Sequence, residues 1–159
     1  MKTLIVYGTK YGCTEGCAKD LAKEVTGEVE LCNLKNSKPA DLEKYDKVII
    51  GGSIVMGGIQ KEVTEFCSTN LETLKGKKLG LFICCMRDGE TAETQFNSAF
   101  PKELVEAATI KGYFGGEFIL KKMTFIDKLI VKKVAKVSSD TSNILKENIH
   151  KFAEKMNIA

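Results

Sequence analysis

The sequence of 159 residues lacks tryptophan and contains one histidine, one arginine and two prolines. Because His150 is the only histidine, metal sites and catalytic triads built on histidine are effectively excluded. Arg87 is the only arginine among 24 basic residues and the net charge is only +3, which argues against a nucleic-acid partner. No apolar run approaches the about 20 residues of a membrane-spanning helix. The amino-terminal apolar stretch is too short for a secretory signal, so we expect a cytoplasmic protein.

The six cysteines show the spacing of neither a disulfide framework nor a CxxC zinc pair. Cys13 and Cys17 stand one helical turn apart, and Cys84 and Cys85 are adjacent at the end of a strand-like run. This spacing does not assemble the compact set of thiolates that an iron–sulfur cluster needs. We therefore interpret the cysteines as small core residues and predict no metal site.

Apolar runs and helical stripes alternate along the chain. Continuous apolar runs at 3–7, 47–53 and 79–85 predict strands buried on both faces, 29–34 reads as an outer strand, and 111–120 supplies a last strand. Between these strands, apolar residues recur at helical spacing, and residues 40–45 predict a short helical turn. Two helices at about 124–137 and 143–156 close the chain. This alternation predicts a single α/β domain over 1–159, with a parallel sheet and helices on both faces. Five strands suit a flavodoxin-like doubly wound fold.

Ligands of such sheets bind beyond the carboxyl ends of the strands, which directs attention to loops 8–14, 51–58 and 84–89. The first loop joins a buried strand to a helix, where free backbone N–H groups and the helix dipole attract an anion. Thr9 and Thr14 add hydroxyl groups, and Gly12 lets the backbone close around a small oxyanion. The alternative is an ordinary turn with a threonine N-cap and no ligand.

The segment IVYGTKYGCTEGCAKDL resembles the phosphate loop of flavodoxins, in which an aromatic residue ends the first strand and a T/S-x-x-G-x-T core surrounds the phosphate of FMN. This resemblance implies that FMN is the cofactor. It also implies a set of phosphate-binding residues, namely Thr9, Lys10, Tyr11, Gly12, Cys13 and Thr14.

The other two loops are predicted to hold the flavin ring. The second loop offers the polarizable side chain of Met56. By the same resemblance, the peptide beyond Gly57 could turn to accept a hydrogen bond from the reduced ring. In the third loop, Arg87 either stabilises the reduced flavin or forms a surface pair with Asp88 or Glu90. The ring-binding residues expected from the two loops are Ser53, Ile54, Val55, Met56, Gly57, Cys85, Met86, Arg87 and Asp88. Neither loop has the tryptophan or tyrosine that usually stacks on the ring, which leaves one face open for a substrate.

A basic segment at about 121–137 carries an apolar stripe of Phe125, Ile126, Leu129, Ile130 and Val134 between lysines. It either packs on the core with its lysines in water or lies on an anionic membrane surface. The stretches YDKVIIGGSIVMGGIQKEVTEF and FIDKLIVKKVAKV resemble the menaquinone-dependent protoporphyrinogen oxidase family, a flavodoxin-like group. The family has an aromatic residue at Met56.

The resemblance to this family implies an FMN-dependent oxidoreductase that passes electrons from a reduced substrate to a quinone or another acceptor. The flavin would carry the chemistry, and we assign no catalytic residue beyond it. Two alternatives stay open, a flavodoxin-type electron carrier without its own substrate and a binding module that has lost the flavin. The partners expected are a redox protein or a small-molecule substrate, with membrane or quinone contact through 121–137, but not nucleic acid.

Overall fold

The computed structural model describes residues 1–39, 41–118, 120–134 and 140–159. Five strands form one parallel sheet in the order β2-β1-β3-β4-β5. This order and the flanking helices confirm the predicted flavodoxin-like doubly wound fold. The strands are β1 (Lys2–Tyr7), β2 (Glu28–Asn33), β3 (Lys47–Ser53), β4 (Lys78–Cys84) and β5 (Ile110–Tyr113).

Helices cover both faces of this sheet and bury two separate apolar layers. The helices are α1 (Cys13–Glu24), α2 (Lys61–Thr69), α3 (Leu71–Lys75), α4 (Gly89–Ala99), α5 (Lys102–Ala107), α6 (Phe125–Val134) and α7 (Lys146–Ile158). The first layer joins α1 and α7 to side chains such as Ile5 and Phe82. The second layer consists of helices α2, α3, α4 and α5 packed on strand side chains such as Leu4 and Leu81. These side chains alternate along the strands with those of the first layer. The three central strands are therefore buried on both faces.

The predicted last strand over 111–120 is divided in two. After β5 the chain turns at Gly115, which has a φ of 74°, and β6 (Gly115–Phe118) pairs antiparallel with β7 (Thr141–Ile144). A Cβ on Gly115 would lie 1.9 Å from the carbonyl oxygen of Asn143, so this close approach requires glycine. The prediction of a helix from residue 143 is wrong at its start, because 143–144 belong to β7 and α7 begins at Lys146.

Two shorter segments also differ from the sequence prediction. Residues 41–45, predicted to be a helical turn together with residue 40, form a hydrogen-bonded turn between Leu42 and Tyr45 rather than a helix; residue 40 lies outside the described residues. The basic segment consists of a 3-10 helix (Leu120–Lys122) followed by α6, and residues 135–137 lie outside the described ranges. None of the helices in these ranges is long and apolar enough to cross a membrane.

Candidate functional site

A cavity of about 560 Å³ lies beyond the carboxyl ends of β1, β3 and β4, and all three predicted loops contribute to it. Ten of the fifteen predicted site residues line this cavity: Tyr11, Cys13, Ser53, Ile54, Val55, Met56, Gly57, Cys85, Met86 and Arg87. The other five, Thr9, Lys10, Gly12, Thr14 and Asp88, are not part of its lining. Tyr11 is the only aromatic side chain among the described residues that form the walls, so the walls are mainly aliphatic and sulfur-containing.

The first loop has the backbone geometry of an anion site. Gly12 adopts a φ of 95°, and its N–H donates to Thr9 Oγ1 over 2.9 Å. Helix α1 then begins at Cys13 without a side-chain cap, so its first N–H groups keep their donor capacity. Thr14 is completely buried, and its hydroxyl oxygen has no hydrogen-bond partner. An unpaired buried hydroxyl is costly for a protein, and here it adjoins a helix N-terminus that attracts anions.

The second loop is a two-residue hairpin turn. Val55 and Gly58 exchange backbone hydrogen bonds of 2.9 and 3.1 Å around Met56 and Gly57, both of which have positive φ angles. Such a turn favours glycine, and Met56, with φ at 53°, is the one non-glycine residue of positive φ in the described chain. The Met56 side chain is 73% exposed at the edge of the cavity. Ser53 is held at the base of the loop by three hydrogen bonds with the Gln60 amide.

The third loop follows β4 and exposes Arg87 and Asp88 to solvent. Within the described ranges no ion pair joins Arg87 to Asp88 or Glu90, so the surface pair considered for Arg87 does not form. The thiol of Cys85 donates to the Arg87 carbonyl, and burial raises the pKa of that thiol. Gln95, which sequence analysis did not identify, lines the same wall with a buried amide oxygen that has no partner. The cavity therefore contains an unpaired acceptor.

Helix α6 and Met123, which lies between the 3-10 helix and α6, form a wall that sequence analysis missed. Met123, Asp127, Ile130 and Val131 line the cavity at helical spacing. Asp127 is buried and accepts hydrogen bonds from Lys10 Nζ and Tyr11 Oη in the first loop. These two hydrogen bonds lower the pKa of Asp127, with that from Lys10 the larger cause. An acidic residue within an apolar helical stripe was the sequence signal that could have identified Asp127. Its partners could not be inferred from the sequence, because they are more than 100 positions away in the chain.

The outer side of α6 is exposed, which does not fit the core-facing alternative for most of the predicted stripe. Phe125, Ile126 and Leu129 are 75%, 68% and 51% exposed, and Lys132 and Lys133 are exposed beside them. Ile130, another member of the predicted stripe, lies instead with Asp127 and Val131 on the face toward the cavity. Several large apolar side chains exposed together on one side of a helix are typical of a contact surface.

Three cysteines meet beneath the first loop, an arrangement that the sequence spacing did not reveal. The Sγ atoms of Cys13, Cys17 and Cys84 all lie within 4.8 Å of one another. Cys84 comes from the end of β4 and the other two from α1, so the fold rather than the sequence brings them together. Hydrogen bonds from Cys17 and Cys84 lower the pKa of the Cys13 thiol, while the same contacts with Cys13 raise the pKa values of its two neighbours.

The sequence of the chain matches a known protein family. The model of the flavodoxin domain family matches residues 4–144. The chain belongs to this family. FMN is therefore the cofactor that family membership implies, as the first loop predicted. The match is to the flavodoxin domain as such, and the closer likeness to protoporphyrinogen oxidase stays a prediction. No curated protein sequence matches the chain.

Solved flavodoxin structures share the fold over nearly their whole length. Two-electron-reduced flavodoxin from Megasphaera elsdenii superposes with a TM-score of 0.63 at 18% identity, covering 99% of both chains. Flavodoxin from Streptococcus pneumoniae gives a TM-score of 0.61 at 16% identity, also covering 99% of each chain. A WrbA-like flavodoxin from Agrobacterium tumefaciens gives 0.61 at 16% identity, covering 99% of this chain and 96% of its own. At these identities the likeness establishes the fold alone.

Proposed function

We propose that this chain is an FMN-binding electron carrier that accepts electrons from one redox partner and passes them to another. The observation that carries this proposal is an anion site with unpaired groups at one end of an aliphatic cavity, located where doubly wound sheets bind ligands. When bound, FMN supplies the reversible uptake of one or two electrons. The residues of this chain hold and orient the cofactor and control access to it.

The first loop has the groups that a terminal phosphate requires. The N–H groups at the start of α1 would donate to its oxygens, and the buried hydroxyl of Thr14 would gain the partner that it lacks. Lys10 keeps its ammonium on Asp127, which fixes α6 against the loop. In this arrangement Lys10 contributes positive charge near the phosphate while its hydrogen bond stays within the protein.

The cavity has the groups that a flavin ring requires. Met56, Met86 and Met123 offer polarizable surfaces for a flat aromatic system. The unpaired amide oxygen of Gln95 would accept a hydrogen bond from the imide N–H of the ring. Arg87 has no carboxylate partner in the third loop and would place positive charge near the reduced, anionic form of the ring, which favours reduction.

Stepwise anaerobic reduction of the FMN-loaded protein tests the carrier function. We expect a one-electron-reduced form to accumulate, because Gly57 leaves its peptide free to turn toward the ring. Gly57→Ala should decrease that accumulation, since φ at this position is 80°. Gly58→Ala is the matched control, because Gly58 has open space around it and no positive φ. Direct two-electron bleaching of the wild-type protein would contradict the carrier function.

A second function is favoured by the outer face of α6, namely an oxidoreductase related to protoporphyrinogen oxidase that delivers electrons to a membrane quinone. Phe125, Ile126 and Leu129 are exposed beside lysines at the cavity wall, the composition of a helix that rests on an anionic bilayer. The lack of a stacking aromatic residue in the flavin loops would leave a face of the ring for a substrate.

Co-sedimentation with lipid vesicles tests this second function. Binding to phosphatidylglycerol vesicles but not to phosphatidylcholine vesicles, together with reduction of a quinone by the FMN-loaded protein, would support it. Leu129→Ser should abolish the sedimentation, whereas Ile158→Ser should not, because Ile158 is an even more exposed apolar residue that lies at the end of α7 rather than on α6. Absence of wild-type binding would exclude the membrane contact and leave the carrier function intact.

A further inference from the structure

The three-thiol cluster has the geometry of a metal chelate. Cys13 and Cys17 project from the same side of α1, because residues four apart in a helix are neighbours, and Cys84 approaches from the end of β4. A three-coordinate metal with metal–sulfur bonds of about 2.3 Å sets its sulfurs about 4.0 Å apart. Since the sulfurs here lie within 4.8 Å of one another, the cluster needs shifts of less than about 1 Å to enclose an ion.

The surroundings of the cluster favour negatively charged sulfur. Cys13 is the first residue of α1, whose N-terminus has positive potential. Lys122 Nζ lies 3.7 Å from the place of a Cβ on Gly12, so the ammonium stands beside the first loop. The helix N-terminus and this ammonium offset part of the charge that thiolate ligands would bring to a buried position.

The number and type of ligands select the metal. Among the residues that the structure describes, no fourth ligand atom from Cys, His, Asp or Glu joins the cluster. Cys85, the nearest cysteine in sequence, donates instead to the Arg87 carbonyl. Structural zinc sites almost always have four protein ligands, and catalytic zinc sites complete a set of three with water. Thiolates also bind the soft Cu(I) ion, which is stable with three sulfur ligands and no water. Cys17 and Cys84 are each only 2% exposed, which protects a cuprous ion from solvent.

We propose that Cys13, Cys17 and Cys84 form a three-thiolate site for Cu(I). Each thiol that binds releases its proton to the solvent as its sulfur–copper bond forms, and no electron is transferred. Cys13 and Cys84 also line the cavity, so the ion would lie in its wall. The proposal uses the side chain of Cys13, whereas the phosphate requires only its backbone N–H, and therefore it does not depend on flavin binding.

Competition for Cu(I) with a chromophoric chelator, bathocuproine disulfonate, tests this site in the reduced, flavin-free full chain under anaerobic conditions. We expect one Cu(I) per chain, an ultraviolet sulfur-to-copper charge-transfer band, and a rise in the thermal midpoint on metal addition. Cys17→Ser and Cys84→Ser should each lose all three signals. Cys32→Ser is the matched control, because Cys32 is a buried cysteine of the second apolar layer, whereas Cys17 and Cys84 belong to the first. Its partners, the Ser37 carbonyl and hydroxyl, suit a hydroxyl group equally well.

Partly exposed Cys13 provides a further variant, Cys13→Ser, for the case in which a buried replacement prevents folding. Three results would overturn the proposal. The reduced chain could fail to compete for Cu(I), or both Cys17→Ser and Cys13→Ser could still take up Cu(I). The chain could also bind Zn(II) stoichiometrically and more tightly than Cu(I), as measured with a zinc indicator. FMN affinity is measured separately on the same samples. A chain that binds Cu(I) but no FMN would contradict the proposed function alone, and the reverse result would contradict the metal site alone.

Discussion

Replacement of Thr14 by valine separates the role of this residue in folding from its role in the cofactor site. Its hydroxyl oxygen is buried without a partner in the flavin-free chain. An unpaired buried hydroxyl costs about 1–3 kcal/mol, and valine has nearly the same shape. Thr14→Val should therefore increase the free energy of unfolding of the flavin-free protein by about 1–2 kcal/mol, which raises the urea midpoint by about 0.5–1 M.

The same substitution should weaken FMN binding. A hydrogen bond from the hydroxyl to a charged phosphate contributes about 1.5–3 kcal/mol, so its loss should increase the dissociation constant roughly 10- to 100-fold. Quenching of FMN fluorescence on binding provides the measurement. The substitution is thus expected to stabilise the protein and to impair its site, a combination that nonspecific damage to the fold does not produce.

Thr3 offers a matched control for this experiment. It is also completely buried with an unpaired hydroxyl, but it lies near the start of β1, at the end of the sheet opposite the cavity. Thr3→Val should raise the urea midpoint in the same way and leave the dissociation constant of FMN unchanged. If Thr14→Val bound FMN as tightly as the wild-type protein, the assignment of this hydroxyl to the phosphate would be refuted.

Three further predictions concern backbone geometry and pH. Gly12→Ala should destabilise the chain by about 1–2 kcal/mol in urea denaturation, because φ at this residue is 95°. Gly16→Ala, in open space on α1, should instead stabilise the chain by about 0.5–1 kcal/mol. Equal effects of the two substitutions would refute the backbone strain expected for alanine at residue 12. At Gly51 a Cβ would lie 2.0 Å from a buried phenylalanine ring, so Gly51→Ala should lower the thermal midpoint more than Gly12→Ala. The hydrogen bond with Glu24 raises the pKa of His150 above 6.5. Because the pKa is higher in the folded than in the unfolded protein, this pair stabilises the protein fully below about pH 6.5. Its contribution is lost as pH rises through the folded-state pKa. The stability advantage over His150→Gln should accordingly shrink as pH rises above about 6.5, and a growing advantage would contradict the assignment.

The sheet could be predicted because its strands are buried on both faces and read as continuous apolar runs. The runs at 3–7, 47–53 and 79–85 correspond to β1, β3 and β4. Strand order could not be predicted from periodicity, since neighbouring positions in the sheet are set by crossovers between distant segments. The β6–β7 ribbon was missed for a related reason. Its pairing depends on the turn at Gly115, and exposed polar positions such as those of β7 show no strong pattern.

The loops of the candidate site were identified by sequence, while the contacts across it were not. Motif spacing located the three loops because parallel strands place their carboxyl ends at one edge. The contact of Asp127 with Lys10 joins residues 117 positions apart, and Cys84 is 71 positions from Cys13. Neither contact leaves a periodic signal, so both required the folded structure. Gln95 was missed because its role depends on the absence of a partner, which no sequence pattern displays.

We expect the cavity beside the first loop to bind FMN through its phosphate. Titration of the purified, flavin-free chain with FMN and with riboflavin, followed by visible absorption and fluorescence, tests it most directly, because the two ligands share the ring and differ in the phosphate. We expect one FMN to bind per chain, with perturbed flavin absorption bands and quenched fluorescence. Riboflavin should bind much more weakly. Equal affinity for both ligands, or no binding of FMN, would contradict the claim.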